Sequence, residues 1–393
     1  MKNLTTFIKE SLMDNNLLLS RFDKDTLLEY DKEFGELMMR YREDRNWKDT
    51  LNLEEEWEKF KDAYDKGEKY YPVLKFHKCT FIEDHLLEDM TKLRDKFLKF
   101  DCPISKYYIE NLNNYIFRIK YTIKKITDAP NTYYLGNNGY DFTIDNKYYD
   151  EAIEVVKANP YDASLTNDRN INAKDASKMM QDHIDKMGYK WKIEMNDEML
   201  PRMNVNPNGV LRVNSNATFN EKDIEGLKAH EIDGHVGRRY YGYQTGLHLF
   251  VHGLNGRNIY DEGLAVWNSL NKVKEPKPNI MFNIAIKTII SFNTKILDFF
   301  EIFDLVKKLA PNLTTKKIFK MIIRTKKEIV DMKLPGSWPD DASYFCGYKM
   351  VDAMNDSQRD DILKYNIGPD QFDELPMIKK FLEVNKFEPL EIK

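Results

Sequence analysis

His230-Glu231-Ile232-Asp233-Gly234-His235 places two histidines five positions apart, with a glutamate directly after the first. A zinc-binding helix usually carries its histidines at i and i+4, about 40° apart around a 3.6-residue turn, whereas i and i+5 lie about 140° apart. A regular helix therefore cannot turn both imidazoles toward one metal ion. One inserted residue in a π-type turn restores a common face, and such turns are frequent at functional sites. The spacing predicts a widened turn between His230 and His235, with Gly234 lowering the steric cost of the distortion.

Two imidazoles leave a catalytic zinc short of a third protein ligand, a place a carboxylate commonly takes while one position stays open for water. Glu262, in Tyr260-Asp261-Glu262-Gly263-Leu264-Ala265-Val266-Trp267, is the best candidate, because Leu264 and Trp267 would anchor a second helix and aim it inward. Glu231 is then the general base that takes a proton from water and passes it to a leaving amine. Histidines on a solvated helix are the plainer reading, but the downstream Glu262 favours one Zn2+ per chain held by His230, His235 and Glu262. Asp261 is read as a hydrogen-bonding partner behind the ligands or a first-turn carboxylate. His248 and His252 have true i, i+4 spacing but no adjacent glutamate, and they read as buried hydrogen-bonding or pocket residues rather than a second metal pair.

Outward from this segment, Ala173 to Met187 reads as a helix and Trp191 to Met195 alternates as a strand. Met203-Asn204-Val205 and Val210-Leu211-Arg212-Val213 flank an Asn-Gly turn and read as a hairpin. Thr218-Phe219-Asn220-Glu221 has capping-box spacing ahead of the metal helix. A further helix is expected from Asn258 to about Leu270, and the remainder reads as mostly helical. Residues 1–128 show helical periodicity at Leu27, Leu28, Tyr30, Phe34, Leu37 and Met38, and breakers at Ala129-Pro130-Asn131 and Gly136 to Gly139 suggest a boundary near 130. The expected architecture is α+β, mainly α, with a helical N-terminal region over 1–130 and a catalytic region over 131–393 that has a small sheet, a bulged metal helix and a glutamate helix.

His230-Glu231-Ile232-x-Gly234-His235, Arg238, a Gly242/Gln244 segment, Glu262-Gly263-Leu264-Ala265 and Tyr344-x-x-Gly347, in that order, resemble the microtubule-associated tyrosine carboxypeptidase family and its bacterial relatives. The resemblance spans roughly residues 189–351. It departs at Asp233 and Gly234, where members commonly have the glycine directly after His-Glu-Ile. It implies a gluzincin-like zinc peptidase with His230, His235 and Glu262 as ligands, Glu231 as base, and a protein or peptide C-terminus as substrate. Such a peptidase needs an edge strand to hold substrate backbone, for which Val210 to Asn214 has the right sequence position. It also needs a cation for the terminal carboxylate, with Arg212, Arg238 and Arg239 as candidates, and an oxyanion donor, for which Tyr344 is the candidate. An endopeptidase or dipeptidyl peptidase III-like enzyme is the alternative reading, and a catalytically idle zinc-containing binding protein the second.

Composition narrows the partners. Against 64 Asp+Glu stand 60 Lys+Arg, a net charge of −4, which gives no electrostatic case for nucleic acid or an anionic membrane. At 42% hydrophobic and 13% aromatic residues a packed core is assured. The most apolar segment, Ile280 to Phe300, is interrupted by Asn283, Lys287, Asn293, Lys295 and Asp298, and no early stretch reads as a signal sequence, so a cytoplasmic protein is expected. Cys79, Cys102 and Cys346 form no Cys-x-x-Cys pair and read as buried thiols. Histidine is the uneven residue: of seven, His230, His235, His248 and His252 share one short segment.

Overall fold

Apolar residues at three- and four-residue steps bury one stripe of helix α1 (Lys24–Glu43), with Leu27, Phe34, Leu37 and Met38 inside and Leu28 turned outward. The computed structural model describes residues 19–43, 50–75, 85–127, 145–162, 169–197, 199, 201–274, 279–326, 331–336 and 339–392. The expected break near 130 and Cys79 lie outside the described residues; Cys102 and Cys346 are buried free thiols.

Helices α2 (Leu53–Asp65), α3 (Leu86–Phe97), α4 (Ser105–Thr127) and α5 (Asn146–Ala158) follow. Next come β1 (Ile171–Asn172) and α6 (Ala173–Met187), which starts on an Asn172 side-chain cap and stops at Gly188 with φ +73°. Strands β2 (Lys192–Asn196), β3 (Met203–Val205) and β4 (Val210–Asn214) form one sheet, and β5 (Thr218–Phe219) pairs with β1. The hairpin β3–β4 turns on Gly209, whose φ of +82° glycine adopts without strain.

Two expectations about this region are corrected. β4 is the central strand, in the order β2-β4-β3, parallel to β2 and antiparallel to β3. Both of its hydrogen-bonding edges are occupied, so it has none left to hold a substrate strand. The cap of the next helix, α7 (Glu221–Leu227), is Asn220, whose side chain accepts from the Asp223 N–H at 2.8 Å. Thr218 is drawn instead into β5, opposite Asn172.

α7 runs without a break in helical dihedrals into a π-helix over Lys228–Val236 and then α8 (Gly237–Gln244). The chain continues through α9 (His248–His252), α10 (Asn258–Asn271), α11 (Ile280–Asn293), α12 (Phe299–Leu309), α13 (Thr315–Thr325), α14 (Ser343–Asp352), α15 (Asp356–Tyr365) and α16 (Leu375–Asn385). Among the described residues no helix is long and apolar enough to cross a membrane.

Three apolar cores converge on the π-helix and α10. The first joins α1, α3 and α4 to Ile259, Tyr260 and Leu264 of α10 and to Phe381 of α16. The second packs Phe60 with α11, α12 and α13 around Val266. The third covers the sheet and α6 with Ile232 and Val236 of the π-helix. Because α10 is buried on two sides, the direction of Glu262 is set by packing rather than by a flexible loop.

Candidate active site and metal centre

The π-helix is the structural answer to the five-residue histidine spacing. Over Lys228–Val236 the backbone hydrogen bonds widen by one residue, and His230 and His235 come to one face with ring centroids 5.0 Å apart. Gly234 serves this turn differently from expectation. Its φ is not positive; a Cβ there would sit 3.1 Å from Cα and Cβ of Ala265, so glycine allows the π-helix to press against α10.

That contact brings up the glutamate. His230 Nε2 lies 3.8 Å and His235 Nε2 3.6 Å from Glu262 Oε2, and the three ligand atoms fall within 4.8 Å of one another. Zinc bonds of about 2.0–2.1 Å at tetrahedral angles set ligand atoms about 3.4 Å apart, close to what these side chains already adopt. Glu262 Oε2 is buried and accepts no hydrogen bond from the described residues, an expensive arrangement for a carboxylate unless a cation completes it. The donor set therefore fits one Zn2+.

The surroundings set the protonation states. Burial, together with the neighbouring His235, pulls His230 down to about 4, which keeps its imidazole neutral as a ligand must be. Burial also opposes the imidazolium of His235, but the Asp261 and Glu262 carboxylates outweigh it and hold its pKa well above the usual value. His235 Nδ1 donates to Asp261 Oδ1 at 2.9 Å, leaving Nε2 to face Glu262. Asp261 is itself held by Arg257 Nη1 at 3.0 Å, with Arg238 Nε 3.7 Å away. Burial pushes Glu231 up to about 7, where a carboxyl group both accepts and returns a proton near neutrality.

Tyr344 lies over His230, with ring centroids 6.5 Å apart and planes 13° from parallel. The nearby Glu262 charge and burial raise its phenol well above the usual value, so it stays protonated and able to donate. Gly263 of α10 and Gly347 of α14 explain the flanking pattern: a Cβ on either would collide with the backbone of the other helix, so only glycine lets α14 bring Tyr344 this close.

Two cavities flank the cluster. One, about 300 Å³, is lined by His230, Glu231 and Tyr344 together with Leu227, Val266 and α11. The other, about 220 Å³, is lined by Glu262 and Tyr344 with Arg118, Arg257, Arg324 and Asp341. Arg212 is exposed on β4 and borders neither. Arg238 is buried and donates to Asn366 Oδ1 and the Ile367 carbonyl, while buried Arg239 donates to the Val251 carbonyl at 2.6 Å. The structure brings neither Arg238 nor Arg239 to the wall of either of these two cavities. His248 binds Asp31 at 2.9 Å and His252 is buried against Phe34, both away from the cluster. Sequence spacing does not single out Arg202, Lys287 or Arg324 as the cations that line the cavities; Lys287 had a signal only as an interruption of an apolar stretch.

A family model described as microtubule-associated tyrosine carboxypeptidase matches residues 61–384. The chain belongs to this family. No curated protein matches the chain. The match to this carboxypeptidase family supports a peptidase, and it spans every residue of the cluster as well as the α10–α14 glycine contact.

Proposed function

We propose that the chain is a zinc-dependent, gluzincin-like carboxypeptidase that removes a residue from a protein or peptide C-terminus, with His230, His235 and Glu262 as metal ligands. The buried, unpartnered Glu262 oxygen facing two imidazoles carries this reading. Zn2+ held there would supply a Lewis acid for the scissile carbonyl and for the attacking water. Glu231, next to the first ligand, takes a proton from that water and hands it to the leaving nitrogen. Tyr344 donates a hydrogen bond to the oxyanion as it develops. Asp261 holds the His235 tautomer, with Arg257 and Arg238 holding Asp261. Region 131–393 carries these residues, and the helical region 1–130 shares a core with it through Phe34, Tyr108 and Leu264.

The test is digestion of a C-terminal peptide library by zinc-loaded protein, read by mass spectrometry beside Glu231→Gln. Loss of single C-terminal residues by the native enzyme, and a fall of at least about 10²-fold in the variant with zinc retained, is the expected outcome. N-terminal dipeptides or internal cuts would point to the endopeptidase or dipeptidyl peptidase reading. Full activity in the variant would remove Glu231 from the mechanism.

A further inference from the structure

Arg238, Arg239 and His248 stand out in the sequence, yet none of them borders either cavity. All three are bound around one short helix, α9, and one residue beside it, Asn366. Asn366 is the C-cap of α15 and takes the left-handed conformation, φ 48° and ψ 42°, which asparagine tolerates better than most residues. Its carbonyl accepts from the Leu254 N–H at 3.0 Å. Its side-chain amide is used at both ends: Nδ2 donates to the Phe250 carbonyl at 2.8 Å, and Oδ1 accepts from Arg238 Nε at 3.2 Å and Nη2 at 3.0 Å. The amide has one orientation only, because turned over it would set its NH2 against a guanidinium and its oxygen against a carbonyl.

Phe250 belongs to α9, and α9 is fastened at both ends. Asp31 of α1 accepts from the His248 and Leu249 N–H groups at 2.7 and 3.0 Å, and from His248 Nδ1 at 2.9 Å. Arg239 Nη1 holds the other end by the Val251 carbonyl at 2.6 Å. Gly242 and Gly253 leave room for these contacts: a Cβ on the first would collide with the Phe250 carbonyl, and one on the second with Arg257 and Asn366 Oδ1. With its backbone and its Nδ2 both tied to this frame, Asn366 offers Arg238 an acceptor that does not move.

One shared oxygen makes that matter to the metal centre. Asp261 Oδ1 accepts from His235 Nδ1 at 2.9 Å, and Oδ2 accepts from Arg257 Nη1 at 3.0 Å. Arg238 Nε stands 3.7 Å from the same Oδ1, close enough to be attracted and too far to donate. Arg238 also has a donor to spare, since its buried Nη1 has no hydrogen-bond partner among the described residues. Released by Asn366, the guanidinium would close on Asp261 Oδ1 and compete there with the imidazole. We propose that Asn366 is a positioning residue of the metal centre: it holds the Arg238 fork off Asp261 Oδ1, so that this oxygen is reserved for His235. The inference rests on the zinc reading and extends the support of His235 beyond Asp261 to the frame around α9.

The experiment has one readout with zinc and one without. Zinc affinity is measured by chelator competition, and the His235 Nδ1 proton is followed by NMR of the histidine-labelled apoprotein. Asn366→Gly keeps the left-handed backbone and removes the amide, whereas Asn366→Asp keeps acceptors for Arg238. Asn366→Gly should lower zinc affinity about tenfold and move the His235 Nδ1 proton upfield as its bond to Asp261 weakens. Asn366→Asp should stay within about threefold of the native affinity, whatever it does to the urea midpoint. In an Arg238→Met background, adding Asn366→Gly should change the affinity by less than about twofold, because the competing donor is gone. Native affinity in Asn366→Gly, an equal loss in the glycine and aspartate variants, or a loss that persists without Arg238 would overturn the assignment. Were the native chain to bind no zinc while the His235 proton still moved with Asn366→Gly, the zinc reading would fail and the positioning role would stand. Tight zinc binding with neither readout moved would leave the zinc reading and remove Asn366 from it.

Discussion

His183 of α6 and Asp233 of the π-helix are joined by a 2.8 Å hydrogen bond between Nε2 and Oδ1, both side chains being about one-fifth exposed. Asp233 sits in the widened turn between His230 and His235, and α6 packs against that turn through the third core. The bond ties the π-helix to a capped, regular helix. His183→Ala or Asp233→Asn should leave the fold intact but loosen the turn, lowering zinc affinity about tenfold in a chelator competition. Unchanged affinity in both variants would show that packing alone holds the turn.

Asp261 is tied to His235 and flanked by two arginines. Asp261→Asn keeps the shape but removes the charge that orients the imidazole and balances Arg257 and Arg238. Zinc affinity should fall about 10- to 100-fold, again by chelator competition. A change below twofold would mean that His235 needs no such support.

Gly263 and Gly347 meet where α10 crosses α14. A methyl group on either should force the helices apart at a cost of about 1–3 kcal/mol, seen as a lower urea midpoint with unchanged slope. The double variant should cost less than the sum, because one displacement relieves both collisions. Neutral single variants would contradict the close approach.

Lys326 is buried, and its ammonium donates to the carbonyls of Leu334 at 2.8 Å and Gly336 at 3.3 Å. Burial pulls its pKa down to about 8, against the opposing pull of Asp298 and Asp331. The unfolded chain, with an ordinary lysine near 10.5, then binds more protons between pH 8 and 10.5, so stability rises with pH across that window. Below pH 8 the full cost of holding the charge inside, about 3 kcal/mol, is present. Relative to Lys326→Met, the native chain should gain most of that amount between pH 7.5 and 10 in denaturant titrations; a constant difference would show that the lysine is not held down.

What the sequence by itself determined is local. The i, i+5 histidine spacing admits one shared metal face only through a widened turn, and the turn is there as a π-helix over Lys228–Val236. The boundaries of α6, the Asn-Gly hairpin and α10 were legible for the same reason, since caps, turn residues and periodicity act within a few positions of backbone. Tertiary structure alone decided who meets whom. β4 became a central strand because it came back between β2 and β3, and Arg238 and Arg239 were buried because Asn366, Ile367 and Val251 lie across from them. Gly263 and Gly347, read as motif letters, proved to be two halves of one helix contact. Lys287 faces the site only because α11 packs where it does. Pairings of this kind depend on residues far apart in the chain, and no short-range spacing encodes them.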